Sequence, residues 1–222
     1  MGTYEMGHRG RAQNYSAALV WYRKAIQAGE PAGMYNLAVM YANGEGVAKD
    51  GAQAVAWYRK AADAGYLSAM TNLGWMYANG DGIAKDDVQA VSWYRKAAEA
   101  GSPAAMRNLG MGYLNGRGVA KDDLQAVSWT RKAAGAGDLA AINNLGSMYA
   151  NGDGVAKDDA QAVSWYSKGA DAGNPTCMHN LGWMYEDGRG VAKDLQKAIA
   201  WYRKAAEAGS EEARQALTRL GQ

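Results

Sequence analysis

Residues that could do chemistry are few in this chain, and their spacing argues against most active sites. The segment Asn79-Gly80-Asp81-Gly82 superficially resembles a calcium loop. Aligning Asp81-Gly82 with the turn of such a loop places Tyr77 and Val88 where carboxylate ligands belong, so the match fails. Gly44-Glu45-Gly46 and its copies lack the Lys-Ser/Thr of a phosphate loop and follow a helical rather than an extended pattern. No serine has a lysine three residues on, and no Gly-x-Ser-x-Gly is present, so two common serine-nucleophile signatures are missing. His8, His179 and the single cysteine Cys177 are too few and too scattered to suggest a metal site. Neither a metal nor a cofactor is expected, and an enzyme is the least favoured class.

The same residues become legible once the elements that carry them are laid out. Trp21, Trp57, Trp93, Trp129, Trp165 and Trp201 recur every 36 residues, and Gly29, Gly65, Gly101, Gly137, Gly173 and Gly209 keep the same step. A fixed period of this size is the signature of stacked supersecondary units. Five full units are expected at 30–65, 66–101, 102–137, 138–173 and 174–209. A partial unit at 1–29 precedes them, and 210–222 reads as a C-terminal capping helix, the whole forming one domain over 1–222. Cys177 falls in the slot that other units fill with Ala69, Ala105 and Ala141, so it is expected to be a small core residue.

Each unit has one grammar. In 66–101, Ala69, Met70, Leu73, Met76 and Tyr77 lie at helical spacing. Asn79-Gly80 stops that helix, because glycine tolerates the left-handed C-terminal conformation. A short loop follows, anchored by Ile83. Asp86 then caps a second helix, and Gln89 completes a capping-box pair. The pair recurs as Asp50/Gln53, Asp122/Gln125 and Asp158/Gln161, while Asp194 faces Lys197. The second helix presents Ala90, Val91, Trp93, Tyr94, Ala97 and Ala98 for packing. One such pair cannot bury its apolar face alone, but a stack can.

Charge excludes further classes. There are 24 basic and 22 acidic residues, a net charge of +2, which lacks the concentrated positive charge of a nucleic-acid binder. No apolar run approaches the roughly 20 residues of a membrane helix, and the first eleven residues lack a signal-peptide pattern. A soluble protein is expected, in a compartment left open between cytoplasm and, after loss of a signal, periplasm or exterior. The irregular start leads us to expect further repeats or a signal upstream, and a monomer or a weak homodimer through residues 1–4.

The unit resembles the Sel-one-like repeat family, a relative of the tetratricopeptide repeat. Ala69, Leu73-Gly74, Tyr77, Gly80, Gly82-Ile83, Asp86, Ala90, Trp93-Tyr94, Lys96-Ala97-Ala98 and Gly101 carry the resemblance. It implies an all-α fold: a right-handed α-α superhelix, or solenoid, of 36-residue helix-turn-helix repeats, with the first helices on the concave side. It also implies an adaptor that assembles other proteins, often in bacterial signalling, envelope or host-interaction settings. On the second helices, Arg59/Asp63, Arg95/Glu99 and Arg203/Glu207 lie four apart and are expected to form weak surface pairs of about 0.2–0.5 kcal/mol on a solvated convex face.

Comparison of the units within the chain separates framework from variation. On the first helix three positions vary together on one face: Tyr35, Val39 and Ala42; Thr71, Trp75 and Ala78; Arg107, Met111 and Leu114; Asn143, Ser147 and Ala150; His179, Trp183 and Glu186. By resemblance to tetratricopeptide arrays, these line a concave groove that reads a protein or peptide partner. Trp75, Met111 and Trp183 would be apolar anchors and Arg107 a contact for an acidic group. The competing reading packs the tryptophans between adjacent first helices. Asn36, Asn72, Asn108, Asn144 and Asn180 recur beside this face. They form either an amide ladder for a peptide backbone or framework bonds that hold the stack. Two rivals to the adaptor remain. One is a structural or engineered array without a ligand, suggested by the recurring Ala-Lys-Asp of the loops. The remote one is a penicillin-binding or penicillin-hydrolysing envelope protein.

Overall fold

The computed structural model describes residues 11–222, with side chains from residue 14. Among these residues there are twelve helices and no strands. They are α1 (Arg11–Gln27), α2 (Pro31–Asn43), α3 (Gly51–Asp63), α4 (Leu67–Asn79), α5 (Asp87–Glu99), α6 (Pro103–Asn115), α7 (Asp123–Gly135), α8 (Leu139–Asn151), α9 (Asp159–Asp171), α10 (Pro175–Asp187), α11 (Leu195–Glu207) and α12 (Glu211–Arg219). The chain forms two compact units. Of the described residues, one holds 11–105 with 117–119, the other 106–116 with 120–222. The expected contact of residues 1–4 and the position of His8 lie outside the described residues.

The stop and start signals act as the sequence predicts, with one correction. Gly44, Gly80, Gly152 and Gly188 end first helices in the left-handed conformation, and each donates its N–H to the methionine carbonyl four residues back. Asp50, Asp86, Asp122, Asp158 and Asp194 accept the third-residue amide of each second helix at 2.9–3.0 Å. The reciprocal half of the capping box is not what satisfies the aspartate amide. That N–H donates to a tyrosine carbonyl of the preceding helix: Asp50 to Tyr41, Asp86 to Tyr77, Asp122 to Tyr113, Asp158 to Tyr149 and Asp194 to Tyr185. Gln53, Gln89, Gln125 and Gln161 lie exposed.

Close approach explains the repeated Leu-Gly of the first helices. A Cβ at Gly74 would lie 2.7 Å from the Tyr94 ring, and at Gly182 2.8 Å from the Tyr202 ring. The second helix therefore lays its tyrosine over a bare backbone. Thr130 takes this place against Gly110 and donates to the Ala126 carbonyl. The second loop glycines have a similar duty. A Cβ at Gly118 or Gly190 would overlap the carbonyl of Asp87 or Asp159 at the start of a second helix. A second correction concerns the surface arginines. Arg59 donates to the Tyr77 hydroxyl at 2.5 Å and Arg203 to the Gln222 side chain at 2.8 Å, rather than pairing along their own helix. Arg131 repeats the first of these on Tyr149 at 2.6 Å. The long guanidinium reaches the neighbouring helix, where the hydroxyl competes better than a solvated carboxylate.

The first-helix faces as a candidate binding site

In the first unit the varied face surrounds a shallow pocket. Tyr35 packs its ring against Tyr58 and Tyr66, with centroids 5.7 and 5.0 Å away. Val39 and Asn36 are half-buried. Thr71 donates to the Leu67 carbonyl at 3.0 Å and shares a hydrogen bond with Ser102 at 3.1 Å. Asn72 Nδ2 donates to the Tyr58 hydroxyl at 3.2 Å. Burial pushes the Tyr58 hydroxyl up to about 12. Trp75 is 49% exposed. Trp75, Met76, Tyr58, Asn72, Lys49 and Asp81 line a pocket of about 330 Å³.

In the second unit the same positions are engaged with one another. Arg107 Nε donates to both carboxylate oxygens of Asp138 at 3.2 Å, and Nη1 donates to Asn108 at 3.1 Å. Nε and Nη1 of its guanidinium are thus engaged within the chain. Asn144 donates to the Met111 sulfur at 3.6 Å, and Asn180 to Asn143 at 2.8 Å. Ser147 bonds the Tyr166 hydroxyl at 3.1 Å. His179 stacks against Tyr202 with centroids 5.4 Å apart and bonds Asn180 at 3.3 Å. Leu114 is half-buried against the core of this unit. Glu186 accepts from the Tyr202 hydroxyl and from Arg219, both at 2.7 Å. The Arg219 guanidinium, with help from Tyr202, holds the Glu186 carboxyl below the usual carboxylate range.

Trp183 is 36% exposed, and the Arg189 guanidinium lies 4.6 Å from its ring centroid. Arg189 also pairs with Asp159 and donates to the Ala150 carbonyl at 2.8 Å. That bond to Arg189 draws the Asp159 carboxyl down. Asn72, Asn144 and Asn180 each bond a residue of the preceding repeat.

Several contributors were not singled out in the sequence. Lys49 and Asp81 sit in loops, and Tyr58 reaches the pocket from a second helix. The loop position occupied by Glu45, Asp81, Arg117, Asp153 and Arg189 varies in charge, a signal visible in the sequence. The second helices carry a further device. Lys60, Lys96, Lys132 and Lys204 lie 4.1–4.3 Å from the ring centroids of Trp57, Trp93, Trp129 and Trp201 three residues before them. These cations shield large rings by cation–π contact. Cys177 is fully buried and its thiol is pushed up to about 12 by burial, which opposes a nucleophilic role. Among the described residues no three His, Cys, Asp or Glu side chains cluster as a metal site. No helix among them is long and apolar enough to cross a membrane.

The family sequence model described as Sel1 repeat matches residues 1–30, 31–66, 67–102, 103–138, 139–174 and 175–210. The chain belongs to the Sel1 repeat family. Its fold class is accordingly the all-α solenoid of 36-residue repeats. A Sel1 repeat protein from Oxalobacter formigenes is 41% identical over 91% of this chain and 83% of its own, with a TM-score of 0.86. The protective antigen c5321 of uropathogenic Escherichia coli, which displays an SLR fold, is 39% identical with a TM-score of 0.81. That match covers 90% of this chain but 43% of the antigen, so the chain spans less than half of the larger protein. The immunity protein Pa5087 of Pseudomonas aeruginosa shares the fold at 24% identity and a TM-score of 0.62, over 87% of this chain and 74% of its own. No curated protein gives a significant match. Sel1 repeat proteins are generally non-catalytic helical scaffolds for protein interaction.

Proposed function

We propose that this Sel1 repeat chain is a non-catalytic adaptor that holds a partner protein or peptide against its first-helix faces, with Trp75 as the principal anchor. The observation that carries this reading is the half-exposed Trp75 ring at the rim of a pocket furnished with Tyr58, Asn72, Lys49 and Asp81. A large aromatic left in water beside fixed polar groups is the composition of a binding hot spot. Tyr35, Val39 and Thr71 extend this surface in the first unit. In the second unit Met111, Asn143, Ser147, His179, Trp183 and Glu186 are contact residues of the same kind, although much of their hydrogen-bonding capacity is turned inward.

The ligand-free array draws support from that inward pairing of the second unit. The balance tips to an adaptor because the first unit leaves its aromatic uncovered. The test compares the native chain with a Trp75→Ala, Trp183→Ala double variant that keeps its helical circular dichroism. Both are immobilised and exposed to extract of the source cell. A protein held by the first and lost by the second supports the adaptor. Identical retention by both overturns the assignment of these faces.

A further inference from the structure

Trp75 and Trp183 stand at the same repeat position, yet among the described residues only Trp183 is covered by a cation. Over Trp183 lies the Arg189 guanidinium, 4.6 Å from the ring centroid and ion-paired with Asp159. Three repeats earlier, the place of Arg189 is taken by Asp81 and the place of Asp159 by Gly51. A Cβ at Gly51 would lie 3.4 Å from Asp81 Oδ1, so the Asp81 carboxylate sits beside the point from which an acid at position 51 would begin. Trp75 and Asp81 line one pocket. The site near Trp75 therefore keeps the ring and a carboxylate and lacks the guanidinium between them. Among the described residues no cation pairs with Asp81.

We infer that the Trp75–Asp81 pocket receives an arginine side chain of the partner protein. The guanidinium stacks on Trp75 and donates to the Asp81 carboxylate, as Arg189 does within the chain on Trp183 and Asp159. Planar, delocalised guanidinium suits this double contact better than a compact ammonium. Lys49 also lines the pocket and opposes an incoming cation. It is exposed and outside ion-pair distance of Asp81, so it moves aside into water. The inference rests on the reading of Trp75 as an anchor and adds the chemistry of what it holds.

The probe is the peptide acetyl-Gly-Arg-Gly-amide, compared with its neutral citrulline counterpart and with acetyl-Gly-Asp-Gly-amide. They are titrated into the full ¹⁵N-labelled chain while the tryptophan indole N–H signals are followed. The Trp75 signal is the one absent from Trp75→Phe. Saturable movement with the arginine peptide is expected, about tenfold weaker with citrulline or in Asp81→Asn, which is the loss of one charge-assisted contact. Lys49→Gln should bind more tightly. In Asp81→Arg the new guanidinium should cover the ring and abolish the response. Equal binding of the arginine and citrulline peptides, preference for the aspartate peptide, or no movement at all would each overturn the inference. If a partner in extract still depends on Trp75 under any of those outcomes, the adaptor reading stands and only its ligand chemistry falls.

Discussion

Gly169 of α9 and Cys177 of α10 fit one another by an exchange of volume. A Cβ on Gly169 would overlap the Cys177 sulfur. Four other repeats fill the same two places with alanines, Ala61/Ala69, Ala97/Ala105, Ala133/Ala141 and Ala205/Ala213, all with no exposure, and Ala25/Gly33 fills them with an alanine and a glycine. One methyl is removed where one sulfur is added. Gly169→Ala should therefore destabilise by about 1–3 kcal/mol through overpacking, despite the better helix propensity of alanine. Cys177→Ala added to it should restore most of the loss, because the alanine pair already packs elsewhere in the chain. Urea midpoints of the two single variants and the double variant measure the coupling. Additive effects would refute the exchange.

The caps make a second prediction that separates the two halves of the apparent capping box. Asp86 accepts the Gln89 amide at 3.0 Å, while its own N–H goes to the Tyr77 carbonyl at 2.9 Å. Asp86→Ala should cost about 1 kcal/mol. Gln89→Ala should cost almost nothing, since its side chain is exposed and the amide it would serve is already bonded. A box that worked in both directions would make the two losses comparable in thermal unfolding.

That example marks where the sequence stopped being legible. The repeat, the helix pairs, the glycine stops and the aspartate caps follow from period and from local backbone chemistry, which a single chain displays directly. The Tyr77 carbonyl carries no side-chain signature, so the rival for the Asp86 amide could not be read. The faces are similar. Variation at Trp75, Arg107 and Trp183 was visible, but Arg107 meets Asp138 of the next repeat, and the Arg189 that covers Trp183 is paired with Asp159 of the preceding one, and those encounters depend on how neighbouring helices stack. Asp81 and Arg189 differ in charge at one loop position, and only the geometry connects that difference to the tryptophans.

Glycines that look alike in the sequence should differ in what they tolerate. Gly82 and Gly101 both have positive φ, +71° and +98°. At Gly101 an added Cβ meets nothing within 4 Å, whereas at Gly82 it would overlap the backbone of Gly51. Gly101→Ala should lose only the conformational cost of a left-handed alanine, about 1–2 kcal/mol. Gly82→Ala adds a backbone collision that no side-chain rotation can relieve, so its loss should be clearly larger. Equal midpoints for the two variants would show that the loop moves away from Gly51 without cost.

The acid limb of stability should carry the signature of Glu186. Its bonds from Arg219 and Tyr202 exist with the carboxylate, and they lower its folded pKa relative to the unfolded chain. A depressed carboxyl contributes stability that is fully present above its unfolded value, about 4.3. That contribution is lost as pH falls through the folded value, because protonation there removes the acceptor that holds Arg219. Asp159, Asp194 and Glu212 are lowered as well, so the native chain destabilises on acidification through several groups at once. The difference between native and Glu186→Gln isolates one of them. Glu186→Gln should be less stable at pH 7, and the gap should close as pH drops below about 4.3. Urea unfolding at pH 7, 5, 4 and 3 follows that gap. A gap that stays constant with pH would mean that Glu186 serves through its shape and hydrogen bonds alone, and that its charge does not fasten α12 to α10.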